Sequence, residues 1–236
     1  MGFNKVGEIK QGLGETEHWF YQDKAKKGRE YKVQTHNIEM NLYSYTQREF
    51  TSDLNNEYYT TTLDQEETYT VAGSEVIPKY TKTEYEYDDY GNVINIYNHG
   101  DMLIDGDEKN EIINYGYDYT TWILDKPSMR YLKDPNNQNV RASYYSYNQG
   151  DLITENNALF EYGANNPFST LNDDSKTEYE YDSYGNLIST TSPENHVTEY
   201  EYDSTHTFII KETNALGHET NYEYDKGTGN ILSITD

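Results

Sequence analysis

The chain has 236 residues, no cysteine, 18 basic against 42 acidic side chains and a formal charge of −24. Without cysteine there are no disulfides and no thiolate metal sites. The few, scattered Lys and Arg argue against binding nucleic acid or anionic lipid. No apolar run approaches the ~18 residues that span a bilayer, so no membrane insertion is expected.

Leu, Ile, Val and Phe together number 41, a low share that, with the high charge, would fit a disordered chain. The 27 Tyr point the other way. A tyrosine buries a large flat ring while its hydroxyl stays wet or hydrogen-bonded, and it favours strands. The composition therefore predicts an ordered all-β protein with a core built largely of tyrosine. The acidity reads first as a source of solubility.

The N-terminal residues MGFNKVGEI contain neither the apolar run of a signal peptide nor a myristoylation signal. Residues 1–80 are read as a β-rich region with strands over Glu30–Ile38, Met40–Phe50 and Glu57–Tyr69 joined by long connections. Trp19 and Trp122 are expected to anchor small cores.

Residues 81–236 carry an internal repeat. The segment TEYEYDDYGNVI at 83–94 is nearly duplicated by TEYEYDSYGNLI at 177–188, and partial copies begin at Thr198 and Thr220. In each copy two tyrosines lie two residues apart and face one side of a strand, while the intervening Glu faces water. The pairs are Tyr85 and Tyr87, Tyr179 and Tyr181, Tyr200 and Tyr202, Tyr222 and Tyr224. An aspartate follows, at Asp88, Asp182, Asp203 and Asp225. Its side chain can cap its own turn. Gly91 and Gly185 supply the positive φ that closes a type I turn with a bulge. Related elements end at Asp118 and Asn148, so the turn residues are 30, 30, 34, 21 and 22 apart. Around Asp118, Asn148, Asp203 and Asp225 the glycine is missing or displaced, which predicts altered loops between preserved strands. One hairpin cannot bury its own face, so neighbouring copies should pair edge to edge.

Candidate sites are few. The acidic loop with Asp101, Asp105 and Asp107, flanked by Glu108 and Glu111, is a calcium candidate, although its spacing is not that of an EF-hand. A solvated connection is the alternative. His196 and His218 occupy equivalent repeat positions, which points to a turn role. Rows of tyrosine could stack sugars if exposed, or interlock as cross-strand pairs. No nucleophile elbow, Walker sequence or cofactor motif occurs, so no catalytic residue and no cofactor are assigned. Paired carboxylates carry little weight in so acidic a chain.

The Tyr-x-Tyr-Asp-x-x-Gly-Asn-Leu pattern and the stretch Asn214–Thr220 before the next Tyr-x-Tyr-Asp resemble the YD repeat of the Rhs family, found in toxin-complex and polymorphic-toxin shell proteins. His18–Gln22, Lys27–Tyr31, Gly100-Asp101 with Gly106–Glu108, and Trp122–Pro127 are similar to the family's flanking segments. The resemblance implies repeats that wind a β-sheet into a shell around a C-terminal toxin, in exported or cell-surface proteins. The family's Asp-Pro-x-Gly closure is not matched, because Asp134-Pro135-Asn136-Asn137 lacks the glycine. The sequence stops in mid-unit at Ile234-Thr235-Asp236, so a piece of a longer polypeptide, or a truncated gene product, is expected.

The expected fold is thus all-β: a curved antiparallel sheet of repeated β-hairpins, too short to close on itself. The expected role is a non-catalytic scaffold segment, secreted or at the cell surface. Its partners would be adjoining repeats of a longer chain or an encapsulated toxin segment. The alternatives are a glycan- or cell-surface-binding module using exposed Tyr rows, and more remotely a hydrolase.

Overall fold

A computed structural model of the protein describes residues 4–10, 14–55, 58–71, 78–159 and 175–236. The fold is all-β: the described residues form seventeen strands and no α-helix. Packing divides the chain into two units, Met1–Ile113 with Tyr131–Gln138, and Asn114–Arg130 with Asn139–Asp236.

The first unit contains β1 (Lys5–Lys10), β2 (Gly14–Phe20), β3 (Glu30–His36), β4 (Leu42–Asn55), β5 (Tyr58–Thr70), β6 (Lys79–Tyr87) and β7 (Val93–Asp101). Residues of β8 (Lys109–Tyr115) and β9 (Pro127–Lys133) divide between the units. The second unit contains β10 (Asn139–Asn148), β11 (Asp151–Leu159), β12 (Lys176–Tyr181), β13 (Leu187–Thr191), β14 (Val197–Tyr202), β15 (Ile209–Thr213), β16 (Glu219–Tyr224) and β17 (Ile231–Thr235). Within each unit successive strands pair antiparallel, β1 through β7 in the first and β10 through β17 in the second. Each is a sheet of repeated hairpins.

Two strand limits differ from the sequence reading. Ile38 and Met40 are turn residues, because Asn37 caps a tight turn and Met40 takes a φ of 62°. Residues 56–57, including the Glu57 expected to open a strand, lie outside the described residues.

Burial is shallow. Among the described residues only Ile113, Ala142 and Ala158 are buried apolar side chains, and only Ser143 and Asp203 are buried polar ones. Cohesion therefore has to come from the ladders, the turns and contacts along the sheet faces.

A bulge recurs at one place in the hairpins. The register shifts just before the second aromatic residue, at Tyr87, Tyr147, Tyr181, Tyr202 and Tyr224, and likewise before Phe20 and Phe50. Two residues of the returning strand then oppose one tyrosine. They are apolar doublets: Val93-Ile94, Leu152-Ile153, Leu187-Ile188, Ile209-Ile210 and Ile231-Leu232. Such a bulge bends the strand and increases its twist. It also places two consecutive apolar residues opposite one tyrosine, which an unbroken one-to-one register does not.

The tyrosine hydroxyl has a second use. Beyond the bulge the next pair of strands separates, since the β13–β14 ladder ends at Ser189 and the β5–β6 ladder at Gln65. Tyr202 donates its hydroxyl to the Leu187 carbonyl at 3.1 Å, and Tyr87 donates to Leu63 at 2.9 Å. In both cases the acceptor lies just past the last ladder pair, at the bulge of the preceding strand. A side chain thus replaces a missing main-chain donor.

Two outcomes are expected from urea unfolding. Tyr202→Phe and Tyr87→Phe each cost about 1 kcal/mol, the usual net worth of one hydrogen bond, whereas Tyr200→Phe shifts stability by less than about 0.5 kcal/mol. At Gly185 a Cβ would meet nothing within 4 Å, but φ is 84°. Gly185→Ala should therefore cost about 1–2 kcal/mol through the backbone alone.

Candidate functional site

The sequence singled out the Tyr-x-Tyr-Asp elements, and the structure shows what their aspartates do. At Asp182, Oδ1 accepts the N–H of Tyr184 at 2.8 Å and of Asn186 at 2.9 Å, while Oδ2 accepts the Asn186 amide at 3.1 Å. Asp88 repeats the set with Tyr90 and Asn92 at 2.9, 2.8 and 2.8 Å. In both turns the glycine N–H returns to the aspartate carbonyl, at 3.1 Å for Gly91 and 3.2 Å for Gly185. Each carboxylate thus accepts three bonds within its own turn, and Asp182 also faces His206 of the next hairpin at 3.9 Å.

The irregular copies solve the same problem differently. The Asp203 and Asp225 turns are one residue longer, closing on Phe208 and Asn230. His206 takes the left-handed position in the first, with φ 54°, and Gly229 in the second, with φ 74°. At Asn148 the hairpin closes through Gln149 and Gly150, both with positive φ (51° and 98°), as a type I′ turn requires. At Asp118 the backbone pairs with Ile123, and Trp122 sits at φ 60°. Trp122 is 72% exposed, so it anchors no core, contrary to its sequence reading. Trp19 is half-buried, with Lys5 and Lys32 over its ring at 4.9 and 4.5 Å.

The return turns use the same device with other residues. Asn37, Asp134 and Asn214 cap their turns with side-chain oxygens, as Ser192 does with its hydroxyl. His196 and His218 close two of them: each donates its N–H to the capping side chain and accepts a backbone bond from the same residue. The sequence signal for these turns was a polar residue five before the next strand, which is weak without the tyrosine pair in front.

The repeat tyrosines Tyr85, Tyr87, Tyr179, Tyr181, Tyr200, Tyr202, Tyr222 and Tyr224 are half-buried along one face of their strands. Burial raises the hydroxyl pKa of Tyr85, Tyr87, Tyr179, Tyr181, Tyr202 and Tyr222. The opposite face of β12, β14 and β16 exposes Glu178, Glu180, Glu199, Glu201, Glu219 and Glu223. In the first unit an ion network crosses strands: His18 to Glu30 at 2.6 Å, Glu30 to Arg48 at 2.5 Å, and Arg48 to Glu66 at 2.6 Å. Nearby on another face Glu84 meets Lys82 at 2.7 Å and His99 at 2.5 Å, and these contacts lower its pKa.

In the acidic loop, Asp107 accepts the Asp101 N–H at 2.9 Å and Asp101 accepts the Leu103 N–H at 3.2 Å. Asp105 is exposed beside them. No group of three His, Cys, Asp or Glu side chains arranged to hold an ion occurs among the described residues.

Among the described residues no helix is long and apolar enough to cross a membrane. The family model named RHS Repeat matches residues 181–207, which cover the Asp182 turn, β13, β14 and the Asp203 turn. The resemblance to the Rhs and YD-repeat family is thereby shown at the level of its repeat. No curated protein matches the sequence. Among solved structures, the crystal structure of TcdB2-TccC3 superposes with a TM-score of 0.57 at 9% identity, over 99% of this chain and 21% of the other. TcdB2-TccC3-Cdc42 gives 0.58 at 8% identity, and TcdB2-TccC3-TEV gives 0.56 at 8%, each over 99% of this chain and 20% of the other. At these identities the likeness concerns the fold. The chain spans about a fifth of the length of the chains it superposes on.

Asp203 is the most enclosed carboxylate of the set, 7% exposed. It accepts the N–H groups of Thr207 and Phe208 at 3.0 and 3.3 Å and the Thr205 hydroxyl at 2.7 Å, with Lys226 at 3.5 Å. The Thr207 N–H above all, then the Thr205 hydroxyl, hold its pKa far below the usual carboxylate range. A depressed folded pKa gives stability that is present above the unfolded value, near 4, and is lost as pH falls through the folded value. The melting temperature should therefore fall steadily below about pH 4. Asp203→Asn should melt lower than the parent at pH 7 and decline less steeply in acid.

Proposed function

We propose that the chain is a wall segment of an Rhs-type shell, a structural scaffold with no catalysis of its own. The observation that carries this reading is the superposition of 99% of the chain on about a fifth of much longer chains at TM-scores of 0.56–0.58. The shallow burial supports it. A sheet with few fully buried side chains suits a wall whose faces each meet something else, more than an enzyme that encloses a reaction.

The mechanism is templated pairing. Each hairpin presents an antiparallel edge to the next, and the tyrosine at the bulge fixes the register between them. Residues 81–236 form the repeat array in this reading, and residues 1–80 lead into it. The partners are adjoining YD repeats and, as the family resemblance implies, a toxin segment enclosed by the complete shell. Export to the cell surface or the medium follows from the same resemblance, and the chain's acidity keeps such a surface soluble.

Electron microscopy of the native polypeptide that carries these residues tests the proposal. The expected image is a hollow particle whose wall in this region is one sheet thick, about 10 Å. A separate compact domain with two sheets packed face to face contradicts it.

A further inference from the structure

The turn joining β2 and β3 is a positive island on an acidic chain. Lys24, Lys26, Lys27 and Arg29 follow one another there, flanked by Asp23 and Glu30. Both carboxylates are engaged elsewhere. Asp23 accepts the N–H groups of Ala25 and Lys26 at 3.0 and 2.9 Å, and Glu30 pairs with His18 and Arg48. On other parts of the sheets cations take glutamates: Lys82 meets Glu84 at 2.7 Å, Arg48 meets Glu66 at 2.6 Å and Lys176 meets Glu178 at 2.5 Å. With 42 acidic side chains in the sequence, such a neighbour is the ordinary outcome. Among the described residues, no carboxylate lies within ion-pair distance of the four cations of this turn.

Three of them rest on rings instead. The Lys26 ammonium lies 5.2 Å from the centre of the Tyr21 ring, the Arg29 guanidinium 5.5 Å from Phe50 and the Lys24 ammonium 5.8 Å from Tyr59. Tyr21 in turn meets Tyr31 and Phe50, with ring centres 4.7 and 6.1 Å apart. The loop is also tied to β5. The Thr61 hydroxyl donates to the Ala25 carbonyl at 3.1 Å, and Arg29 donates to the Thr61 carbonyl at 3.3 Å. A cation over a ring is held in place while most of its N–H groups stay open to solvent. Side chains ordered in advance lower the cost of taking up an anion.

The spacing selects the kind of anion. Arg29 rides on Phe50, and Lys24 rides on Tyr59, whose partner across the ladder is Leu54. The strand from Phe50 to Leu54 covers about 13 Å. A single phosphate or carboxylate reaches one of these heads and not the other. An extended peptide spans both, with carboxylates on alternate residues about 7 Å apart. Leu54 is exposed and offers such a peptide an apolar contact. Nucleic acid suits the place less, because four cations on a chain of charge −24 neutralise few phosphates.

We propose that this turn is the docking site for an extended acidic peptide of a partner protein, with Lys24, Lys26, Lys27 and Arg29 as its cations. The net charge of the chain repels acidic segments at long range, so capture depends on direct contact. The site does not rest on the scaffold reading, and its failure would leave that reading standing.

The test is a titration of the 236-residue chain at ~0.1 M salt, where the Debye length is about 10 Å. The probes are a peptide of about twelve residues alternating glutamate and serine, its glutamine counterpart, and a single-stranded DNA of similar length. The acidic peptide should bind saturably, with Kd on the order of 100 µM, and shift the amide signals of residues 24–28. Raising the salt to ~0.5 M should weaken it about tenfold. Joint Lys24→Gln, Lys26→Gln and Lys27→Gln substitution keeps Asp23 and its turn bonds, and should weaken binding about tenfold or more. Lys79→Gln with Lys109→Gln removes charge elsewhere in the same unit and should leave Kd within about twofold. Melting curves confirm that each variant is folded. The proposal is overturned if the acidic peptide fails to bind, if its glutamine counterpart binds as well, if the triple variant binds like the parent, or if the DNA binds more tightly than the peptide. Sedimentation that shows dimers of the parent and none of the triple variant would give the turn to a second copy of the chain, and overturns it likewise.

Discussion

A bulge that sets two apolar residues opposite one tyrosine is the constraint on which the rest of the structure depends. In Leu187-Ile188 against Tyr181, and in four further hairpins, the returning strand carries one residue too many at the same point. The surplus is a bulge, and it lies opposite the tyrosine. In a sheet with so few fully buried side chains, an unsupported bulge would open the ladder to water. The tyrosine of the following hairpin closes it from the other side, through the Tyr202–Leu187 and Tyr87–Leu63 hydrogen bonds. One residue type sits opposite the bulge of its own hairpin and supplies a donor to its neighbour. This accounts for a tyrosine-rich, aliphatic-poor composition in an ordered protein.

The capped turns complete the arrangement. Each carboxylate or amide at the start of a turn takes up N–H groups that would otherwise lack partners, and a residue with positive φ closes the loop. The turn sets register at one end of the hairpin and the bulge resets it next to that turn. A slip by one residue would move the rings to the other face and leave the cap unfilled. The rows of Glu on the opposite face stay in water, where their mutual repulsion is screened and association of exposed edges is opposed.

Much of this was legible in the sequence, and the rest was not for identifiable reasons. The Tyr-x-Tyr face, the Asp caps at 88 and 182 and the need for Gly91 and Gly185 follow from local chemistry, and they appear as read. The apolar doublets were visible as residues but break the period of two, so their meaning needed the register. His206 in place of glycine looked like a turn error. Its stacking on Tyr184, twenty-two residues upstream, depends on two hairpins lying side by side. Trp122 was expected in a core because of its size, yet it sits at a positive-φ turn position that turns it outward. Of the carboxylates at 101, 105 and 107, Asp101 and Asp107 each accept a backbone N–H of their own loop, a pairing that spacing along the chain does not show.

Native-state hydrogen exchange tests the central claim most directly, because it reads turn and strand separately. If the aspartate caps and the tyrosine locks act as one cooperative unit, the turn amides of Asn92, Asn186 and Thr207, whose acceptors are carboxylates, should exchange as slowly as the amides of β6, β12 and β14, with free energies of opening that agree within about 1 kcal/mol. Exchange of these turn amides at rates typical of an open peptide, beside protected strands, would contradict the account and leave the ladders as the sole source of order.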